Sequence, residues 1–204
     1  MPHVNLIMVN GLSGTGKTGL ARRLAADLGL PCIGNDQLKE VLFDTLGWSD
    51  LEWSERLGSA SSALLWSVCR SLLEADKSLV IEGAFHAEED GPRLRALLEH
   101  FRPRIAEIHC YARREILVER VKERAESGAR HPGHGDQDRE ALREEVIPDL
   151  LTDPDPLLDA PHFYILLNTE EEMTDERFAD LLGKVEAFIR SDATDAGSAD
   201  ITPA

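Results

Sequence analysis

Residues Gly11-Leu12-Ser13-Gly14-Thr15-Gly16-Lys17-Thr18 satisfy the pattern G-x-x-x-x-G-K-[ST], between an apolar run, Val4 to Val9, and a helical pattern that begins near Lys17. A strand, a glycine-rich turn and a helix N-terminus in that order form a phosphate cradle. The glycines let successive backbone N–H groups face one anion, and the helix end adds partial positive charge. In such a loop the lysine reaches the β/γ-phosphates and the hydroxyl of the last residue holds Mg²⁺. An ordinary glycine turn leaves Lys17 and Thr18 unexplained. The expectation is that Gly11, Leu12, Ser13, Gly14, Thr15, Gly16, Lys17 and Thr18 bind a nucleoside triphosphate, ATP with Mg²⁺.

The rest of the chain alternates between two periodicities. Val4 to Val9 is a near-continuous apolar run, as in strands covered on both faces of a parallel sheet. Leu20, Leu24 and Leu28, with Ala21 and Ala25, make one helical stripe, which Gly29 ends. Pro31 to Gly34 reads as a short second strand and Gln37 to Leu46 as a helix. Ser49 to Ala75 is helical too, with Leu57, Leu64, Leu65, Val68, Leu72 and Leu73 as its expected buried stripe and Trp66 in the same core. Ser78 to Ile81 is a third strand, Glu89 to His100 a helix, Ile105 to Tyr111 a fourth strand, and Arg113 to Glu126 a charged helix. Ser127 to Asp136 is rich in Gly and Pro and predicts a mobile, irregular loop. Gln137 to Leu151 reads as a helix, Thr152 to Pro161 as a linker, His162 to Leu167 as a fifth strand, and Thr174 to Arg190 as the last helix. Beyond Ser191 the small, acidic residues predict a disordered tail.

Strands alternating with helices argue for a three-layer α/β domain with a parallel sheet and right-handed crossovers. A single domain over residues 1–190, with a lid around 113–136, is expected. Ligands of such sheets bind beyond the C-terminal ends of the strands. The phosphate loop, Asp36 and Glu82 all fall at that edge.

Composition narrows the function. At 204 residues the chain can bury roughly 70% of the surface its unfolded form exposes. Cys32, Cys69 and Cys110 are odd in number and far apart, which supports neither a disulfide framework nor a zinc site and points to a reducing, cytoplasmic setting. No apolar window approaches about 18 residues, and Met1-Pro2-His3-Val4-Asn5 has no signal-peptide pattern, so no membrane partner is expected. The net charge of -16 opposes broad contact with a long nucleic acid. It does not oppose ATP, whose site depends on local cations.

Phosphoryl transfer needs an acceptor held in line and developing charge spread over cations and N–H groups. Asp36 is the best placed carboxylate to orient or deprotonate an acceptor hydroxyl; it also suits a helix N-cap, a role Asn35 can fill instead. Glu82 ends an apolar strand, as an acid on the Mg²⁺ side would; the alternatives are a base or a solvated strand end. Arg120 and Arg124 lie four apart on one helix face, which favours an anion beside them, although Glu119 and Glu123 are also within reach. Arg130 is placed to close over phosphates and exclude water. His131 and His134 lack the remainder of a metal set. Trp48 and Trp53 fit a helix end better than an acceptor ring. Asp44-Thr45-Leu46-Gly47 mimics a GTPase D-x-x-G, but it lies in a helical pattern and no N-K-x-D follows.

With these motifs in order, the chain resembles the small P-loop kinases of the polynucleotide-kinase and zeta-toxin type, often grouped with AAA-family ATPases. The likeness runs from residue 4 to about 190. It implies a P-loop NTPase fold with a five-stranded parallel sheet in the adenylate-kinase-like order 2-3-1-4-5. It implies that Asp36, in Ile33-Gly34-Asn35-Asp36-Gln37-Leu38-Lys39, activates the acceptor hydroxyl, and that Glu82, in Val80-Ile81-Glu82-Gly83, is the third-strand acid. Lys39 stands where relatives often carry an acceptor-side arginine, and Arg120 and Arg124 match lid arginines. The chain departs from the pattern at Glu82 and Asn168, where relatives frequently have Asp; the second departure bears on adenine contacts. The leading expectation is an ATP-dependent phosphotransferase acting on a hydroxyl of a small molecule. The alternative is a nucleotide-dependent binding or switch ATPase without a small acceptor. A second phosphate site has only Lys39 and Arg93 to build on. None of the motifs names the acceptor, the preference for ATP over GTP or the oligomeric state.

Overall fold

The computed structural model describes residues 3–128, 130–135, 156–159 and 162–191. Among them the strands β1 (Asn5–Gly11), β2 (Cys32–Gly34), β3 (Leu79–Gly83), β4 (Arg104–Tyr111) and β5 (Phe163–Asn168) form one parallel sheet in the order β2-β3-β1-β4-β5. The expected fold class and strand order are both present. The helices are α1 (Lys17–Leu28), α2 (Asn35–Leu46), α3 (Leu51–Glu74), α4 (Ala87–Phe101), α5 (Arg114–Ser127) and α6 (Asp175–Arg190).

Two cores follow from the two-residue period of β1. Leu6 and Met8 face α3 and α4 and pack with Leu65, Trp66, Cys69, Leu94 and Leu97. Ile7 and Val9 face the other way, against Leu20, Leu24, Phe178, Leu181 and Val185 of α1 and α6. Because every β1 residue is buried, the strand needs apolar side chains on both faces, which is why its sequence does not alternate.

Several boundaries move from where periodicity put them. β1 and β3 run on to Gly11 and Gly83, so Glu82 lies inside a buried strand and not at a solvated end. α2 begins at Asn35, and its N-cap is Gly34 without a side-chain cap bond, so neither Asp36 nor Asn35 serves as the cap. In α3 the buried face runs Leu57, Ser61, Leu65, Cys69 and Leu73, together with Trp66. Leu64 and Val68 are 44% and 40% exposed, which corrects their place in the expected stripe. An apolar helix of this length offers more Leu and Val than one face can bury.

The stretch expected to be irregular contains a 3-10 turn, Pro132–His134, with Gly133 and His134 buried. The helix expected from Gln137 to Leu151, most of the linker after it and the tail beyond Ser191 lie outside the described residues, as does the end of the lid at Asp136. No helix among the described residues is long and apolar enough to cross a membrane.

Candidate functional site

Two glycines shape the phosphate loop through close approach. Gly11 has φ 145°, and a Cβ there would lie 2.4 Å from the Cys110 carbonyl oxygen and 2.9 Å from Thr15 Oγ1. Gly14 has φ 91°, with the Leu117 carbonyl of α5 3.1 Å from where its Cβ would be. Side chains at these places would push the loop off β4 and α5. Inside the loop, Thr15 Oγ1 donates to the Leu12 carbonyl at 2.8 Å. The buried Lys17 ammonium donates to the same carbonyl at 3.3 Å and stands 3.8 Å from Glu82 Oε1.

Glu82 is 1% exposed and sits on β3 between Val9 of β1 and Gly34 of β2. Its Oε1 accepts from Thr18 Oγ1 at 3.2 Å. A Cβ on Gly34 would lie 2.8 Å from Glu82 Oε2, so that glycine makes room for the carboxylate. Burial pushes the Glu82 carboxyl above its ordinary pKa, the Asp36 charge adds to this, and Lys17, Thr18 and Arg22 oppose it. A hydroxyl and a buried carboxylate that converge beside a phosphate loop are hard oxygen donors of the kind Mg²⁺ takes.

Asp36 faces this group from the first turn of α2. Burial alone would raise its pKa, but Arg130, His134, Lys17 and Lys39 outweigh burial and hold the carboxyl below its ordinary value. Arg130 forms an ion pair with Asp36 Oδ2, and its Nη1 also donates to Ser13 Oγ of the phosphate loop at 3.4 Å. Arg124 donates to the same Ser13 oxygen at 2.8 Å. Arg120 donates to the Gly14 carbonyl at 3.4 Å and to the Thr169 carbonyl at 2.6 Å. The structure thus brings all three expected arginines onto the phosphate loop.

Past Arg130 the chain docks on α2. Asp36, Glu40 and Asp44 follow one another at four-residue intervals, and each meets a basic group: Arg130, then His134 at 3.2 Å, then His131 at 3.3 Å. Between them lies Phe43, with the His131 ring stacked at 5.0 Å and the His134 ring edge-on at 5.2 Å. A Cβ on Gly133 would come within 2.8 Å of the Phe43 ring carbons. The histidines thus pair with carboxylates, an arrangement no sequence spacing announced. Trp48 meets the His131 ring edge-on at 6.2 Å, and Trp53 Nε1 donates to the Gly47 carbonyl at 3.0 Å, closing the α2–α3 turn. Lys39 is buried between α2 and α3, its Nζ 3.4 Å from where a Gly58 Cβ would be. Arg93 is not in the site; it is bonded to Asp90 at 3.2 Å and Ser62 at 3.1 Å.

On the other side of the phosphate loop opens a cavity of about 400 Å³, lined by Gly16, Arg23, Arg120, Thr169, Met173 and Phe178 among others. The Arg23 guanidinium lies 3.8 Å over the Phe178 ring. Of this wall the sequence pointed to the phosphate loop, to Arg120 and to the segment at Asn168, whose Oδ1 accepts from Glu170 N at 2.8 Å, but Arg23, Met173 and Phe178 gave no signal.

Comparison with known proteins agrees with this geometry. The AAA domain family model matches residues 6–150. A solved candidate kinase from Chloroflexus aurantiacus j-10-fl is 33% identical, with 90% of this chain and 97% of that chain covered and a TM-score of 0.73. Chaetomium thermophilum Kti12, solved in complex with ADP-AlF3, is 20% identical over 91% of this chain and 100% of its own, with a TM-score of 0.59. A sugar kinase from Janibacter sp. is 17% identical over 90% of this chain and 95% of its own, with a TM-score of 0.52. The last two show the fold alone. No curated protein matches the chain. With its phosphate loop, its sheet order and a family model spanning most of its length, the chain belongs to the AAA domain family and has the fold of the small P-loop kinases.

Proposed function

We propose that this chain is an ATP-dependent phosphotransferase that passes the γ-phosphate to a hydroxyl of a small molecule. One observation carries the reading: a single side chain, Arg130, touches both the Asp36 carboxylate and Ser13 of the phosphate loop. The acceptor-side carboxylate therefore stands within one guanidinium of the place where phosphate is held. The likeness to a candidate kinase at 33% identity supports the same reading.

In this mechanism Gly11, Leu12, Ser13, Gly14, Thr15 and Gly16 supply the N–H cradle, and the nucleoside lies in the cavity beside Arg120. Thr18 and Glu82 would hold Mg²⁺, which when bound neutralises charge on the β- and γ-phosphates. The Lys17 ammonium leaves the Leu12 carbonyl for phosphate oxygens. Asp36 is ionised at neutral pH and takes the proton of the acceptor hydroxyl. The hydroxyl oxygen forms the new O–P bond, the bond to the ADP oxygen breaks, and Arg120, Arg124 and Arg130 spread the charge that passes between them. The docked turn holds Arg130 across Asp36 and Ser13, which limits the approach of water to the phosphate held there until an acceptor arrives.

Transfer of labelled γ-phosphate from ATP across nucleosides, sugars, aminoglycosides and related antibiotics tests the reading. With the acceptor so found, Asp36→Asn is expected to keep Mg²⁺-ATP binding and lose transfer by roughly 10²–10⁴-fold. Transfer at the wild-type rate in that variant removes Asp36 as the base.

A further inference from the structure

Asn10 ends the apolar run of β1 with a polar side chain only 2% exposed, opposite Gly83 of β3 and His109 of β4. A buried amide must find partners, and this one finds them on two loops. Its Oδ1 accepts from the Gly11 N–H at 2.7 Å and from the Phe85 N–H at 2.9 Å. Its Nδ2 donates to the Phe85 carbonyl at 3.3 Å and lies 3.5 Å from His109 Nδ1. One side chain thus binds both backbone groups of Phe85, as a neighbouring strand would, beyond the point where β3 has ended.

Phe85 is anchored from behind as well. Its ring lies 5.7 Å from that of Trp66 on α3, and Trp66 Nε1 donates at 3.0 Å to Asp90, which also accepts from His86 N at 2.9 Å. Asn10 ties this assembly to the first residue of the phosphate loop. Glu82 lies on β3 directly before Gly83, the residue opposite Asn10, and its Oε1 accepts from Thr18 Oγ1 at 3.2 Å.

We infer that Asn10 is a positioning residue that holds the phosphate loop and the loop after Glu82 in one register, so that Thr18 and Glu82 stay opposed across the Mg²⁺-nucleotide site. This rests on the nucleotide-binding part of the function proposed above. A residue with only a structural role would lower stability and leave the metal-dependent part of nucleotide affinity alone.

The test uses the full chain and the β,γ-imido analogue of ATP. Its affinity is measured by titration calorimetry with and without Mg²⁺, beside the Tm of the protein alone, for wild type, Asn10→Ala and Asn10→Ser. The serine hydroxyl is too short to bridge to Phe85, yet it fills part of the site and favours a folded variant. Both variants are expected to lower Tm, to keep the Mg²⁺-free affinity within about threefold, and to lose at least about tenfold of the gain that Mg²⁺ brings. An unchanged Mg²⁺ gain in Asn10→Ser, whatever its Tm, overturns the inference. So does failure of both variants to fold, which makes Asn10 a folding determinant. If wild type itself binds no analogue, the nucleotide-binding reading falls, and that result is distinct from either.

Discussion

The Arg130 guanidinium is ion-paired with the Asp36 carboxylate, 94 residues away along the chain. This contact occupies one oxygen of the proposed base, whose side chain stays 35% exposed, and with His134, Lys17 and Lys39 it keeps that base ionised against the effect of burial. The Asp36 carboxyl is held below its ordinary value of 3.8, so its ionised form favours the fold. That contribution is present above the ordinary value and is lost as pH falls through the lowered one. In Arg130→Ala burial meets less opposition and the folded-state value rises toward or past the ordinary one, so the variant is expected to be less stable at about pH 6 and to lose less stability than wild type on acidification. Tm measured from about pH 3 to pH 6 checks this. Superimposable profiles contradict it.

Glu82 carries the opposite sign. Burial raises its carboxyl above 4.5, so its contribution to stability is present below that value and declines as pH rises through the raised one. Glu82→Gln removes the ionisable group while leaving an oxygen for the Thr18 hydroxyl. Without metal at neutral pH the variant is expected to be at least as stable as wild type. Its Mg²⁺-dependent nucleotide affinity is expected to fall by roughly 10–100-fold. A variant that is both less stable and unimpaired toward Mg²⁺ would assign Glu82 a structural role.

The docked turn offers a handle on Arg130 that leaves the phosphate loop and Asp36 unsubstituted. At Gly133 any side chain meets the Phe43 ring, since the Cβ would lie within 2.8 Å of it. Gly133→Val is expected to undock the turn at a cost of about 1–3 kcal/mol. Faster amide hydrogen exchange over 130–135 reads the undocking, and a several-fold rise in ATP hydrolysis without acceptor reads the loss of water exclusion. Unchanged exchange would mean that the turn is held elsewhere.

What the sequence disclosed is what local chemistry dictates. The phosphate loop was legible because Gly11, Gly14 and Gly16 have backbone conformations that other residues resist, and the strand order followed once the family resemblance was drawn. Asp36 and Glu82 were legible as acids near strand ends. The pairing of Asp36 with Arg130 was not, nor were the histidine pairs on Glu40 and Asp44, because they join segments far apart in the chain and depend on Phe43 receiving Gly133. Leu64 and Val68 misled because a helical period marks a stripe without saying which edge of it meets the sheet. Asn10 gave a faint signal, a polar residue closing an apolar run, whose meaning emerged only with Phe85 beside it.

The central claim is that Lys17 and the neighbouring amides grip the phosphates of a Mg²⁺-nucleotide at the top of the sheet. Titration calorimetry of wild type against Lys17→Met tests it most directly. The account predicts saturable binding to wild type and a loss of roughly ten- to a hundredfold in the variant, the scale of one charge-assisted hydrogen bond. Equal affinity in the two proteins, or no binding to wild type, would contradict it.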